Sequence, residues 1–267
     1  MATGRTDAAP RGSIVDRTAR TVTSEMVAGE VPPSAPTKQK LCYNIPMDTI
    51  PDKFAMTRED NVFLAKKYLK DSVYRSAHLE GIAVTFAETE AILEDATVNN
   101  VAPKDISKVY GLRDAWRYIL SALDNPIDLA LLETLHQLIA REDVPWDRLG
   151  VLRTENVRIS GTSFIPALPD ADTIQRTITE IASSPASDTD HAISTMLYLM
   201  RTQPFLDGNK RVATLAANKI LIATGHGIFS VPPELKVVFT TELVSYYESG
   251  DPTTIKSLIY DNCITGF

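Results

Sequence analysis

Apolar residues recur at helical intervals along most of the chain. Val62, Ala65, Leu69 and Val73, spaced three and four apart, predict one helix from about Arg58 to Glu80, with Gly81 as its natural stop. Thr85-Phe-Ala-Glu88 has the form of a capping box and predicts a short helix through Ile92 and Leu93. Pro103 suits a first helical position and opens another helix through Val109, Leu112, Trp116, Ile119 and Leu120. Leu129, Leu132, Leu135 and Ile139 mark a fourth. Further helices are expected over about 171–182, 188–202, 210–224, 233–247 and 253–262. Ile193, Met196, Leu197 and Met200 form one strong apolar stripe, and Ala213, Ala216, Ala217, Ile220 and Leu221 form another. Two such stripes mark a central buried pair.

The pattern fails in two places. From about Trp146 to Pro169 the glycines and prolines at 150, 161, 166 and 169 punctuate a stretch where Val151, Arg153, Val157 and Ile159 suggest short strands or an extended loop. This is the expected exposed, functional connection. Residues 1–40, rich in Ala, Thr, Pro, Gly and Ser, bury too little apolar surface to offset their ordering entropy and read as a disordered N-terminal tail. Residues 40 to 56, with Pro46 and Pro51, read as an extended lead-in. The expected fold is therefore all-α, an irregular helical bundle with one small β-hairpin-like flap. Its expected parts are the tail at 1–40, a lead-in and helical segment at 41–102, and a core at 103–267.

Composition narrows the function classes. The 267 residues are 44% hydrophobic and 23% charged, ordinary for a globular chain, and the formal net charge of -7 argues against a nucleic-acid partner. Cys42 and Cys263, the chain's two cysteines, form no metal-ligand spacing and read as unpaired thiols. No apolar run reaches the roughly 18 to 20 residues of a membrane span, and Arg5, Asp7 and Arg11 replace a signal-peptide core. The expectation is no membrane partner and a cytoplasmic location.

The chemistry concentrates in Arg201-Thr-Gln-Pro-Phe-Leu-Asp-Gly-Asn-Lys-Arg211, between the two apolar helices. Pro204 ends the first helix and Gly208 permits unusual dihedrals, so the amides that follow can converge on an anion at the next helix's N-terminus. Lys210 and Arg211 sit where the helix dipole favours negative charge, which implies an expected anion. Asp207, beside such a phosphate cradle, suits one face of Mg²⁺. An ordinary polar loop with an N-terminal Asp remains the plainer alternative.

This stretch resembles the motif of the Fic family, His-x-Phe-x-Asp/Glu-Gly-Asn-Gly-Arg-x-x-Arg, between the same two central helices. Gly150-Val-Leu-Arg153, Asn156, Ile159 and the run from Phe164 to Pro169 resemble the family's flap, and the likeness spans about Thr57 to Phe267. The resemblance implies ATP and Mg²⁺ as cofactors and transfer of AMP to a protein hydroxyl. Asp207 would hold the metal, Gly208, Asn209 and Lys210 the nucleotide, and Arg211 a phosphate. The flap at Ile159, Ser160, Gly161, Thr162 and Ser163 would dock a target protein. A homodimer is left open.

The chain departs from the motif. Gln203 stands at the catalytic position, where the family has the histidine that takes the acceptor's proton; a carboxamide cannot do so near neutral pH, and general-base help is worth about 10² to 10⁴ in rate. His191 is too far along the same helix to substitute, and His78, His136 and His226 are expected in packing or solvent roles. Lys210 and Thr214 replace the motif's second glycine and second arginine, which resembles the Doc branch and its phosphoryl transfer. Ser76-Ala-His-Leu-Glu80-Gly81 matches the family's autoinhibitory pattern, and with Thr214 present Glu80 would have to pair with Arg211 or Lys210. The expected functions are thus an impaired AMP transferase, a Doc-like phosphoryl transferase, or a non-catalytic nucleotide- or partner-binding regulator.

Overall fold

The computed structural model describes residues 50–267; the expected tail, Cys42 and the start of the lead-in lie outside them. Among the described residues ten α-helices and two two-residue strands follow in order: α1 (Arg58–Lys67), α2 (Leu69–Leu79), α3 (Phe86–Leu93), α4 (Pro103–Ser121), α5 (Leu129–Ile139), α6 (Ala171–Ala182), α7 (Asp188–Thr202), α8 (Asn209–Thr224), β1 (Ile228–Phe229), α9 (Lys236–Ser249), α10 (Thr253–Asn262) and β2 (Ile264–Thr265). The all-α expectation holds.

Local chemistry explains most boundaries. Thr57, Thr85, Asp128, Asp170 and Ser187 each accept an amide proton from the first turn of the helix they precede, and Thr85 and Glu88 complete a reciprocal capping box. Pro103 occupies the first turn of α4, where its missing N–H costs nothing. The single helix expected over 58–80 is in fact two. Tyr68, at φ -95° and ψ 10°, kinks the path between α1 and α2. Its amide still bonds Leu64 and its carbonyl still accepts from Ser72, and the apolar stripe runs across the break, so periodicity alone conceals it.

α7 and α8 form the centre. Every residue from Ala192 to Met200 is buried on α7, and α8 is buried along nearly its whole length. α1, α4 and α5 pack on α8, α6 packs on α7, and α9 packs with α10. Side chains from α1 through β2 belong to one apolar core. The lead-in fastens the end of the central pair opposite the loop: Asp52 accepts from the Thr189 amide at the start of α7 (2.9 Å), and the Met56 amide donates to Gly225 O just beyond α8 (2.9 Å).

The flap differs from the hairpin-like expectation. Residues 150–169 are extended or turning and form no strand; the strands among the described residues are β1 and β2, paired antiparallel elsewhere. The reason is local. The carbonyls of Glu155, Pro166 and Ala167 are taken by the Arg153 guanidinium, and Pro166 and Pro169 offer no amide for a ladder.

Candidate functional site

α7 ends at Gln203, whose backbone lies in the left-handed region at φ 49° and ψ 64°. Few side-chain-bearing residues adopt it, and it is held here by neighbours. The Gln203 amide caps Leu199 O (3.0 Å) and its carbonyl accepts from Arg153 Nε (2.6 Å). The Gln203 carboxamide is turned back into the loop: Nε2 donates to Met200 O, and Oε1 accepts from Asn209 Nδ2 (2.9 Å).

Asn209 closes the loop from the other end. Its Oδ1 accepts from the Phe205 amide (2.8 Å) and its Nδ2 donates to Phe205 O (2.8 Å). Phe205 is buried and stacks on the His136 ring at 4.1 Å between centroids. His136 lies under the loop, accepting from the Gly150 amide at Nδ1 (2.8 Å) and meeting Asp207 O at Nε2 (3.1 Å). Burial above all, with Arg211 nearby, pushes its pKa down to about 4. It is neutral at pH 7 and couples α5, the flap's first residue and the loop.

Gly208 has φ 75°, a conformation that favours glycine, and a Cβ there would lie 2.6 Å from Ile139 Cδ1, which would have to move. Its amide donates to Asp207 Oδ1 (2.6 Å). α8, like α9 and α10, has no side-chain cap and no acid in its first turn, but α8 alone of these opens on the loop that lines the cavity. Its leading amides have no partner from a capping side chain and are free to meet an anion there.

The two cations are placed differently. Lys210 is 36% exposed and its Nζ lies 3.4 Å from Glu80 Oε1. Arg211 is 5% exposed and sits among three carboxylates: Asp143 at 2.6 Å, with Glu80 and Asp207 at 3.8 Å; Nη1 also donates to Ile139 O (2.8 Å). Burial opposes ionisation of Asp143, but Arg211 and Lys108 outweigh it and hold its carboxyl below the usual carboxylate range. Glu80, at the end of α2, thus faces both cations. Asp207 is 60% exposed, a lone carboxylate at the rim.

These groups meet in one cavity of about 400 Å³. Glu80, Gln203, Asp207, Asn209 and Lys210 form one wall, the flap residues Ile159 and Ser160 another, and Phe239, Thr240, Leu243, Val244 and Tyr247 of α9 a third. Not every expected site residue reaches it. Arg211 and Ser76 line a narrow pocket behind Glu80, with Thr214 and Ser230. Gly208 sits beneath the loop, and Gly81 borders a separate groove with Ile82, Val84 and Lys236. Gly161, Thr162 and Ser163 form the flap's rim; Glu248 of α9 accepts there from Thr162 Oγ1 and from the Ser163 amide (2.6 Å). Arg201 stacks on the Phe164 ring at 4.3 Å and donates to Tyr247 O (3.3 Å).

Sequence reasoning missed Asp143, the bracing tasks of His136 and Asn209, Glu248 and the α9 wall. The Glu142-Asp143 pair beyond α5 was a visible signal for the first, but nothing local linked it to Arg211. Among the described residues no group of three or more His, Cys, Asp or Glu side chains is placed to hold a metal ion, and Asp207 is the exposed carboxylate at the cavity's rim.

Residues 126–221 match the model of the Fic/DOC family. The protein adenylyltransferase Fic of Drosophila melanogaster is 25% identical over 199 residues, 70% of this chain and 40% of that protein. The chain thus spans about 40% of the length of such curated relatives. Among solved structures, Fic-1 (residues 134–508) of C. elegans superposes with a TM-score of 0.65 at 20% identity, covering 75% of this chain and 61% of that one. A Fic-domain-containing signalling protein of Bacteroides thetaiotaomicron gives 0.63 at 20% identity, covering 77% and 84%. Among the described residues no helix is long and apolar enough to cross a membrane.

Proposed function

We propose, from the match of residues 126–221 to the Fic/DOC family model, that the chain binds ATP in this cavity and is built to pass AMP to a hydroxyl of a protein docked on the flap, in a form impaired at Gln203. The observation that carries this reading is the convergence of flap, uncapped α8 N-terminus, Lys210 and Asp207 on one cavity. The α8 amides and Lys210 would hold phosphates, and Asp207 would hold Mg²⁺, which when bound would neutralise phosphate charge. Ile159 and Ser160 would present the acceptor segment beside residue 203. Glu80 would restrain the site by occupying Lys210, so phosphate must compete with it.

A second reading, a non-catalytic nucleotide- or partner-binding regulator, is favoured by Gln203. Its carboxamide is committed to Asn209 and Met200 and has no proton-accepting capacity to offer a hydroxyl. The deciding experiment incubates parent and Gln203→His with ATP labelled at the α- or the γ-phosphate. Label from the α-phosphate, raised roughly 10²- to 10⁴-fold in the His variant, is the expected result. Label from the γ-phosphate would replace AMP transfer with Doc-like phosphoryl transfer. No transfer by either protein, with ATP still bound, would leave the regulator.

A further inference from the structure

Arg153 is 2% exposed, yet all the hydrogen bonds its guanidinium makes among the described residues go to main-chain carbonyls. Nε donates to Gln203 O (2.6 Å). Nη1 donates to Glu155 O (2.9 Å). Nη2 is shared among Ala167 O (2.6 Å), Pro166 O (3.3 Å) and Thr202 O (3.3 Å). The Arg153 amide adds a bond to Pro204 O (3.0 Å). Burial lowers the guanidinium's pKa, and it stays charged because an arginine starts far above neutral pH.

These acceptors belong to three different stretches. Glu155 is in the flap's outgoing leg, Pro166 and Ala167 in its returning leg, and Thr202 and Gln203 at the C-terminus of α7, where the helix dipole favours a cation. One rigid fork therefore joins both legs of the flap to the residue that faces the acceptor. The same bond holds Gln203 in its left-handed conformation, which a side-chain-bearing residue adopts only under constraint.

We propose that Arg153 is the positioning residue of the site: it sets the pitch of the flap over the cavity and the backbone conformation at residue 203. Its consequence for transfer rests on the function proposed above, but the positioning itself can be read without any transfer. Lysine keeps the charge but offers a point donor that cannot reach three separated stretches at once.

The test is amide hydrogen exchange on the whole chain, parent against Arg153→Lys. Losing charge-assisted bonds should speed exchange of the hydrogen-bonded amides that the fork steadies, those of residues 153, 203 and 205 at the legs and of Ser163 and Phe164 at the flap's tip, by roughly 10- to 100-fold, with α8 and α10 unchanged. Unchanged flap exchange would overturn the proposal, and so would a uniform rise throughout the chain, which would make Arg153 an ordinary core residue. A coupling measurement guards the second half of the claim. In a Gln203→Gly background, where the left-handed conformation carries no penalty, Arg153→Lys should cost less stability than in the parent; an equal cost refutes it. The parent alone supplies a third check, since its Arg153 Nε–H should exchange slowly with water in NMR spectra, and rapid exchange would contradict the geometry. Failure of the parent to bind Mg-ATP would remove the transferase reading and leave these outcomes unaffected.

Discussion

The loop between α7 and α8 and the flap opposite it enclose the same cavity by opposite means. The loop rests on a buried helix pair, plugs Phe205 into the core and satisfies itself through Asn209. The flap has no ladder and few buried residues of its own. It hangs from Arg153 at its legs, Arg201 at Phe164 and Glu248 at its tip. One wall is an outgrowth of the core, and the other is a suspended segment. Damage to the first should therefore appear as lost stability of the whole fold, and damage to the second as a local change of position.

The sharpest break in that contrast comes from Arg211→Ala. It removes the partner of Asp143 at 2.6 Å and leaves a carboxylate 8% exposed with Lys108 as its remaining cation. Breaking a buried pair by deleting one member costs about 3 to 5 kcal/mol. We expect a fall of that order in urea unfolding, and weaker ATP binding as its companion. Stability within about 1 kcal/mol of the parent, a change typical of exposed pairs, would show that Arg211 is not the keystone of the loop wall.

The two walls also differed in how far the amino-acid sequence disclosed them. Caps such as Thr85 and Ser187, and the Pro103 start, act within one turn and were visible in the residues themselves. Asp207 to Arg211 were visible for the same reason, since their chemistry is contiguous. The kink at Tyr68 was not, because the stripe and the hydrogen bonds both run through it. The suspended wall was visible only as a breakdown of periodicity. Its fastenings join residues far apart in sequence: Arg153 to Gln203 across 50 positions, Ser163 to Glu248 across 85, and on the loop side His136 to Asp207 across 71. Local pattern carries no record of such pairings, so Arg153 could be recognised and its task could not.

A smaller effect separates the loop wall by pH. His136 has a folded pKa near 4, below the 6.5 of a free histidine, so the unfolded chain binds the extra proton between these values. Its contribution is present above pH 6.5 and is lost as pH falls towards 4. At about 1.4 kcal/mol per unit over the interval between the two values, the loss is on the order of 3 kcal/mol. Other carboxylates titrate in the same range, so the readout is a difference: His136→Gln keeps a donor and an acceptor without a titration, and its stability should fall less steeply over this window. Parallel pH profiles for the two proteins would remove His136 from the account.

The smallest expected effect on the fold belongs to Glu248→Ala, and it probes the suspended wall alone. The Glu248 carboxylate is exposed, and its pKa is held below the usual 4.5 first by the Thr162 hydroxyl and then by the Ser163 amide, with the Ser163 hydroxyl and Phe164 amide adding to them. Those donors release it when it is protonated, so its grip is present above pH 4.5 and is lost as pH falls through the depressed folded value. Exposed contacts of this kind add little to global stability, and the melting temperature should not move measurably. Exchange in peptides covering 160–165 should nevertheless quicken at neutral pH, by less than in Arg153→Lys, because the legs remain pinned. Acidifying the parent should reproduce that quickening relative to the rest of the chain, while the Ala variant, having no carboxylate to lose, should show no extra response. If instead Glu248→Ala lowers the melting temperature along with α7 and α8 protection, the flap is continuous with the core, and the division between a built wall and a hung one does not hold.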